Sequence, residues 1–376
     1  MNSPPVLRLR YTQRGVSLVE LMIAMMLGLF LMIGVIQIFV SSKATYTAQE
    51  SLSRLQETGR HTTHTVSRKL RMAGYTGCGR NIEVHNNLNV DLNNPAENLV
   101  YDFTRGIFGS EATGTGPDDD VELDDPDGGW TPALPDGLDS DRVAAGSDVL
   151  LIRSMNSRTA QATGTNSAQQ VGHGSQMFVR QPNDFGSGDV LIITDCEKSS
   201  IFQASNITQQ DNQNRTNITF TPGGGHTPGN QPGNWGQEQL YSADAEVGRL
   251  ATTVFYVGEE NDIHGLYRQQ LSGNIPDPVL VAEDVENMQI RYGIRNGGTV
   301  HAPLIGEYLT ASQVDAANAW DDVLAIEVAI LVRSEGRLAD ISAANRTYNL
   351  AGTTITTPAD SRQRQIFRTR VALRNP

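Results

Sequence analysis

The residues able to do chemistry in this chain fall into a few small groups. Glu20 is a carboxylate in an apolar setting, set between Val16-Ser17-Leu18-Val19 and Leu21-Met22-Ile23-Ala24. Within a membrane-length run such a group costs about 2.5–3.5 kcal/mol near the bilayer centre, and less toward the interface, so it marks a functional position whose counter-charge must be named. Cys78 and Cys196 are the only cysteines, which permits one bridge or two free thiols and excludes a disulfide-rich scaffold or a four-cysteine zinc site. Residues 111–141 hold eleven carboxylates and no Lys or Arg, among them Asp118-Asp119-Asp120 and Asp124-Asp125-Pro126-Asp127. Calcium prefers about six to eight oxygens, but this spacing misses the EF-hand pattern and Pro126 interrupts it, so a solvated acidic loop is expected. His61 and His64 stand three apart without an acidic or Cys partner in the pattern, as solvated helix positions do and metal ligands do not. Gly223-Gly224-Gly225 is not followed by Lys-Ser/Thr and is no phosphate cradle. Neither Gly-x-Ser-x-Gly nor His-Glu-x-x-His occurs, and no catalytic residue, metal or cofactor is expected.

The elements that position these residues begin with hydrophobicity. Val16–Val40 is a run of twenty-five residues whose strongly polar members are only Ser17, Glu20 and Gln37. As a helix it would measure about 37 Å, against a bilayer core of about 30 Å. Arg8, Arg10 and Arg14 precede it with no acid among the first fifteen residues, and no second apolar run of that length follows. Positive charge on that side puts the N-terminus in the cytoplasm and the rest of the chain outside. A secretory signal has an apolar region of about 7–15 residues and a small-residue cleavage site; this run is longer, and Ser41-Ser42-Lys43-Ala44 matches such a site poorly. A plain signal anchor explains length and orientation but not Glu20.

Beyond Val40, Ala44, Ala48, Leu52, Leu55, Gly59, Thr62, Val66, Leu70 and Ala73 recur at spacings of three or four. They form one narrow stripe, with Lys43, Glu50, Arg54, Glu57, Arg60 and Lys69 mostly on other faces. No proline intervenes and Gly74 is a natural stop, so one helix of 58 residues, about 87 Å long, is expected from Val16 to Ala73. After Gly74 the pattern becomes short β-like runs between Gly, Pro, Asn and Asp clusters. Expected strands are 148–153, 176–180, 189–194, 201–204, 217–220, 250–257, 265–270, 279–282, 287–294, 323–332 and 366–373. Val323–Val332 (VLAIEVAILV) is the strongest and reads as central, its β-branched density outweighing Ala325 and Ala329. One long helix followed by strands indicates an α+β fold, with the helix packed on an antiparallel sheet and insertions near 85–145 and 205–240. The second of these is read as a long loop. The net charge of −13 would be −2 without the acidic stretch, so nucleic acid is not an expected partner.

Arg14-Gly15 followed by Val16-Ser17-Leu18-Val19-Glu20 and an uninterrupted apolar helix resembles the class III signal of type IV prepilins and type II secretion pseudopilins. The resemblance implies a leader 1–15, a fibre-core or membrane helix 16–40, an amphipathic continuation 41–74 and a periplasmic domain 75–376. It implies cleavage between Gly15 and Val16 by a membrane aspartic prepilin peptidase, which then N-methylates Val16. A residue without Cβ before the scissile bond lets backbone pass through a narrow site. It also implies that Glu20 pairs with the methylated amine of a neighbouring pilin; an α-amino group ordinarily titrates at about 7.7–8.0, so that amine is charged. Val16 stands where most members carry Phe, and no proline lies in the span; both departures fit a minor pilin. Ala24, Gly28 and Gly34 are small residues through which neighbouring helices can approach.

Further along, Leu266-Tyr267-Arg268, Leu280 to Gly293, Trp320-Asp321-Asp322-Val323, Leu331-Val332-Arg333-Ser334 and Arg370 to Asn375 resemble the PilW family of minor pilins. The family implies a noncatalytic subunit of the complex that primes pilus assembly and sits at or near the fibre tip. Implied partners are prepilin peptidase, other minor pilins, the major pilin, the inner-membrane assembly platform and a tip adhesin. A J-type minor pseudopilin of type II secretion is the nearest alternative, and a membrane-anchored periplasmic enzyme or ligand-binding module is the other. In an oxidising periplasm Cys78 and Cys196 are expected to pair, pinning the end of the helix to the sheet.

Overall fold

The computed structural model describes residues 15–78, 83–91, 99–163, 176–223, 225–232, 241, 245–273, 276–299, 302–338 and 341–374. The expected leader up to Arg14, together with Gly79, Gly224 and Asn375, lies outside the described residues.

One helix, α1 (Leu18–Leu70, 53 residues), joins the apolar run to the amphipathic stripe. It starts two residues later than its pattern predicts, because Ser17 is extended and serves as N-cap. It ends three residues earlier, where Arg71–Gly74 form a turn that Gly74 closes at φ +70°. Gly74 N–H then donates to Arg153 O at 2.9 Å, handing the chain to the sheet.

The strands follow in the order β1 (Glu83–Asn86), β2 (Ile107–Ala112), β3 (Asp120–Glu122), β4 (Trp130–Thr131), β5 (Val149–Thr163), β6 (Gln176–Arg180) and β7 (Val190–Thr194). Next come β8 (Lys198–Gln203), β9 (Asn206–Gln210), β10 (Arg215–Thr219), β11 (Glu246–Glu260), β12 (Ile263–Gln270) and β13 (Val279–Glu283). The last are β14 (Val285–Thr299), β15 (Ala302–Leu309), β16 (Val323–Arg333), β17 (Ala344–Leu350), β18 (Thr353–Asp360) and β19 (Arg364–Ala372), with a short helix α2 (Ala311–Ala316) before β16. The largest sheet is ordered β1-β8-β7-β11-β5-β6-β10-β9, with β12 and β13 continuing from β11 and β2 and β4 from β5. A four-stranded sheet is ordered β15-β14-β16-β19, and a three-stranded one β17-β18-β3. Pairing among described residues is antiparallel except at β1–β8 and β18–β3.

As the sequence predicts, β16 is interior, with every residue from Val323 to Val332 buried. Its alternation serves two cores. Ile326, Val328, Ile330 and Val332 pack with Leu55, Val66 and Leu70 of α1 and with Val254 and Tyr256 of the large sheet. Ala329 and Leu331 face the other way, into a small core with Val121, Leu350 and Ile355 of the three-stranded sheet. The four-stranded sheet is therefore covered by the helix on one face and by the three-stranded sheet on the other.

Two expectations are corrected. The acidic stretch is not simply a solvated loop: it contains β3, β4 and a turn of 3-10 helix at Ser140–Arg142, and Val121 is buried. Glu111 is buried too and accepts from Ser312 N–H at 3.1 Å. The stretch is held because Val121 and Leu123 alternate with carboxylates in a strand pattern, while Asp118, Asp119, Asp120, Glu122, Asp124, Asp125 and Asp127 stay exposed. The second insertion is likewise not all loop, since β9 and β10 pair as a hairpin whose turn places Asn214 at φ +48°.

Candidate assembly interface

Among the described residues the N-terminal half of α1 packs against no other element. Every residue from Gly15 to Ile33 is exposed, including Val16 (69%), and Phe39 is still 68% exposed. It is the one described helix long and apolar enough to cross a membrane. Gly15, Val16 and Glu20 sit together at its free end. Leu21 N–H reaches Ser17 O at 3.1 Å, so Glu20 occupies the first turn, where a carboxylate complements the unpaired N–H groups. Among the described residues none supplies a cation to Glu20. Ala24 and Gly28 lie one turn apart on one face, and a Cβ added at Gly28 would meet only open space. Gly34, six residues on, falls on a different side of the helix.

The other half of α1 is fixed. From Leu55 onward Gly59, Thr62, Val66 and Leu70 of the stripe read from the sequence are buried, joined by Ser67, and they face β19, β16 and β13. A Cβ at Gly59 would overlap the Phe367 ring, and Ser67 Oγ lies 3.0 Å from Thr369 Oγ1. Exposed Arg54 pairs with Glu50 and Glu335, each at 3.0 Å, contacts that add little in water. Past the helix, Cys78 and Cys196 are bonded, with their Cα atoms 5.3 Å apart. Cys196 sits at φ +71° in the turn between β7 and β8, so the expected bridge ties the helix exit to the large sheet.

The C-terminal residues singled out in the sequence turn out to be braces. Asn287 and Gln289 both donate to Gly146 O, at 2.7 and 2.9 Å. Buried Arg291 reaches Ala351 O, Thr115 O and Thr353 Oγ1, each within 3.1 Å, and so crosses to the three-stranded sheet. Trp320 packs at 4.5 Å from the Phe108 ring and edge-on to Tyr292. Glu286 is gripped by Arg364 through two bonds of 2.6 and 3.0 Å, and Arg364 also holds Asp360 at 2.7 and 2.8 Å. Arg333 joins this cluster through Glu286 at 3.4 Å and also pairs with Asp284 at 3.0 Å. The bonds from Arg364 hold the Asp360 carboxyl down at about 2, against the effect of burial.

Sequence reasoning missed several buried ionisable groups, Asp148 and Arg153 among them. Asp148 accepts from Ala112 N–H at 3.0 Å and Ile290 N–H at 2.8 Å, coupling β2 to β14. Burial pushes its carboxyl up to about 7, with the two N–H donors opposing that rise. Arg153 donates to Arg105 O and Leu99 O, and burial lowers it to about 10. A single charged residue at the edge of an apolar run, as in Asp148 before Val149-Leu150-Leu151-Ile152, was the available sign. His61 and His64 are exposed, and among the described residues no group of three or more His, Cys, Asp or Glu could hold a metal ion.

The molecule thus has two working parts: a bare apolar helix with its carboxylate at the free end, and a braced head that grips the other half of that helix. Residues 254–375 match the family described as type IV pilus-assembly protein W, and residues 10–36 match the prokaryotic N-terminal methylation motif. The first match runs from within β11 to the end of β19, taking in the sheet that carries α1. The second takes in Gly15, Val16, Glu20, Ala24, Gly28 and Gly34. No curated protein and no solved structure matches the chain.

Proposed function

We propose that the chain, whose residues 254–375 and 10–36 carry those two matches, is a PilW-family minor pilin of the type IV pilus, membrane-anchored and pilus-associated, and that it helps to initiate pilus assembly in a minor-pilin complex at or near the fibre tip. Prepilin peptidase cleaves between Gly15 and Val16 and methylates the new amine of Val16. Gly15–Ser17 lie outside the helix, with Ser17 extended, and this supports the reading because a protease needs an unwound segment. The head lies on the periplasmic side, and Glu20 pairs with the terminal amine of an adjoining pilin.

The observation that carries the proposal is the division of α1. Its first half exposes a continuous apolar surface that only lipid or other helices can cover, while its second half is locked into a large head. Helices of neighbouring pilins supply that cover in a fibre, and the charge pair at Glu20 sets their register. A head spanning 75–376 is too bulky to repeat along a thin fibre, which supports low copy number and a position where bulk is tolerated. Its partners are then other minor pilins, the major pilin, the assembly platform and a tip adhesin, and its role is noncatalytic.

Deletion of the gene tests this. Surface pili should be lost or sharply reduced, while major pilin is still made, processed and retained in the membrane. Normal piliation with defective protein secretion would overturn the proposal and assign the chain to a secretion pseudopilus.

A further inference from the structure

Beside the anchored half of α1 lies a groove of about 790 Å³ whose walls are strongly basic. Arg68, Lys69 and Arg71 line it from the helix end, Arg249 and Arg268 from β11 and β12, and Arg374 from the end of the last sheet, against one acid among the described residues, Asp277. Arg249 is neutralised by Asp189 at 2.7 Å. Among the described residues Arg68, Lys69, Arg71 and Arg268 have no acidic partner. Lys69 and Arg268 are half-buried, and burial, with Arg268 and Arg68 close by, holds Lys69 below its ordinary value. Cations at a helix end complement its free carbonyls, which accounts for part of Arg68 and Lys69 but not for Arg268 across the groove. Such a concentration of unpaired positive charge is unusual in a chain of net charge −13.

We propose that this groove is a docking site for an Asp/Glu-rich segment of a different, neighbouring subunit in the assembly. The segment is not this molecule's own acidic stretch, because β3 lies on the opposite face of the four-stranded sheet from α1. Four unpaired cations spread over about 790 Å³ exceed what one small anion can satisfy, so the ligand is extended. A lipid headgroup is too far away: Arg68 lies 28 residues beyond Val40, about 42 Å along the helix. A nucleic acid strand is disfavoured, because no Phe, Tyr or Trp lines the groove for base stacking and the net charge of −13 repels a polyanion. The groove borders the same helix whose bare half neighbouring pilins cover, so a subunit lying along α1 would bring its own surface near it. That last identification rests on the pilin reading; the basic site itself does not.

The test uses the full chain in detergent micelles and a fluorescent peptide of six consecutive aspartates, followed by anisotropy at low salt. Saturable binding is expected, weakened by about tenfold in the double variant Lys69→Gln/Arg268→Gln. Arg71→Gln, at an exposed position, provides a second variant that should weaken binding if the first fails to fold. An oligothymidylate of equal charge should bind less tightly than the peptide. Equal peptide binding by wild type and a folded variant would overturn the proposal, as would tighter binding of the oligonucleotide. Self-association of the wild type that is lost in the variant would overturn it in favour of a second copy as occupant. The assay requires neither processing nor pili, so its failure leaves the assembly role standing, and a failed piliation test leaves the groove measurable.

Discussion

Gly59 of the long helix lies directly against the ring of Phe367, with no room for a Cβ between them. The contact sets how closely α1 approaches the edge strand β19 and hence how the bare half of the helix leaves the head. Ala at 59 would gain about 1 kcal/mol of helix propensity over Gly, but forcing extra volume into a packed contact costs about 1–3 kcal/mol. Gly59→Ala should therefore lower the urea midpoint of the detergent-solubilised protein. In a Phe367→Ala background the same change should be neutral or stabilising. A lower midpoint in both backgrounds would remove Phe367 as the cause.

Much of this arrangement was legible beforehand, and the misses have physical reasons. The stripe from Leu55 to Leu70 and the run VLAIEVAILV carry strong periodic or β-branched patterns, and both appear in the structure as expected. The three-stranded sheet escaped notice because Thr353–Asp360 (TTITTPAD) buries one large apolar residue, Ile355, between Thr353 and Thr357 and is interrupted by Pro358. Strand β2 (IFGSEA) is buried along its whole length, yet Gly109 and Glu111 break its apolar pattern. Those two residues are there because Gly109 makes room for Tyr292 and Glu111 receives Ser312. Such pairings join positions far apart in sequence, and local pattern does not contain them. The roles proposed for Gly15, Val16 and Glu20 rest on a family resemblance, since among the described residues none gives Glu20 a counter-charge.

The Cys78–Cys196 bridge spans 118 residues, and loop entropy values such a closure at about 4–5 kcal/mol, though measured gains often fall short. No thiol should be alkylated in the unreduced native protein. Cys78→Ser should make the segment after the helix sensitive to protease while leaving β14–β16–β19 protected. Two alkylatable thiols in the native protein would contradict the bridge.

Asp148 and Asp360 should respond to pH in opposite senses. The Asp360 carboxyl is held at about 2, so its contribution is present above the unfolded value near 3.8 and is lost as pH falls through 2. The Asp148 carboxyl is raised to about 7, so its protonated form favours the fold; that contribution is full below 3.8 and is lost as pH rises through 7. Asp148→Asn removes an acceptor facing Ala112 or Ile290 N–H and should cost about 1–3 kcal/mol. The gap between variant and wild type should be larger at pH 5 than at pH 8, measured by urea unfolding. A gap independent of pH would show that Asp148 does not titrate in this range.

Glu20→Ala should be processed normally yet enter sheared pili poorly, read by immunoblot of pilus and membrane fractions. The head is untouched by this change, so its protease resistance should match wild type. Wild-type incorporation would take Glu20 out of the assembly contact.

The most direct measurement is mass spectrometry of the N-terminus of the protein taken from membranes of cells that make it. The account predicts a chain beginning at N-methylated Val16, and in a Gly15→Val variant a chain retaining its leader. A wild-type chain that keeps residues 1–15, or that is cut elsewhere without methylation, would contradict the assignment of Gly15, Val16 and Glu20 to a prepilin-type assembly interface.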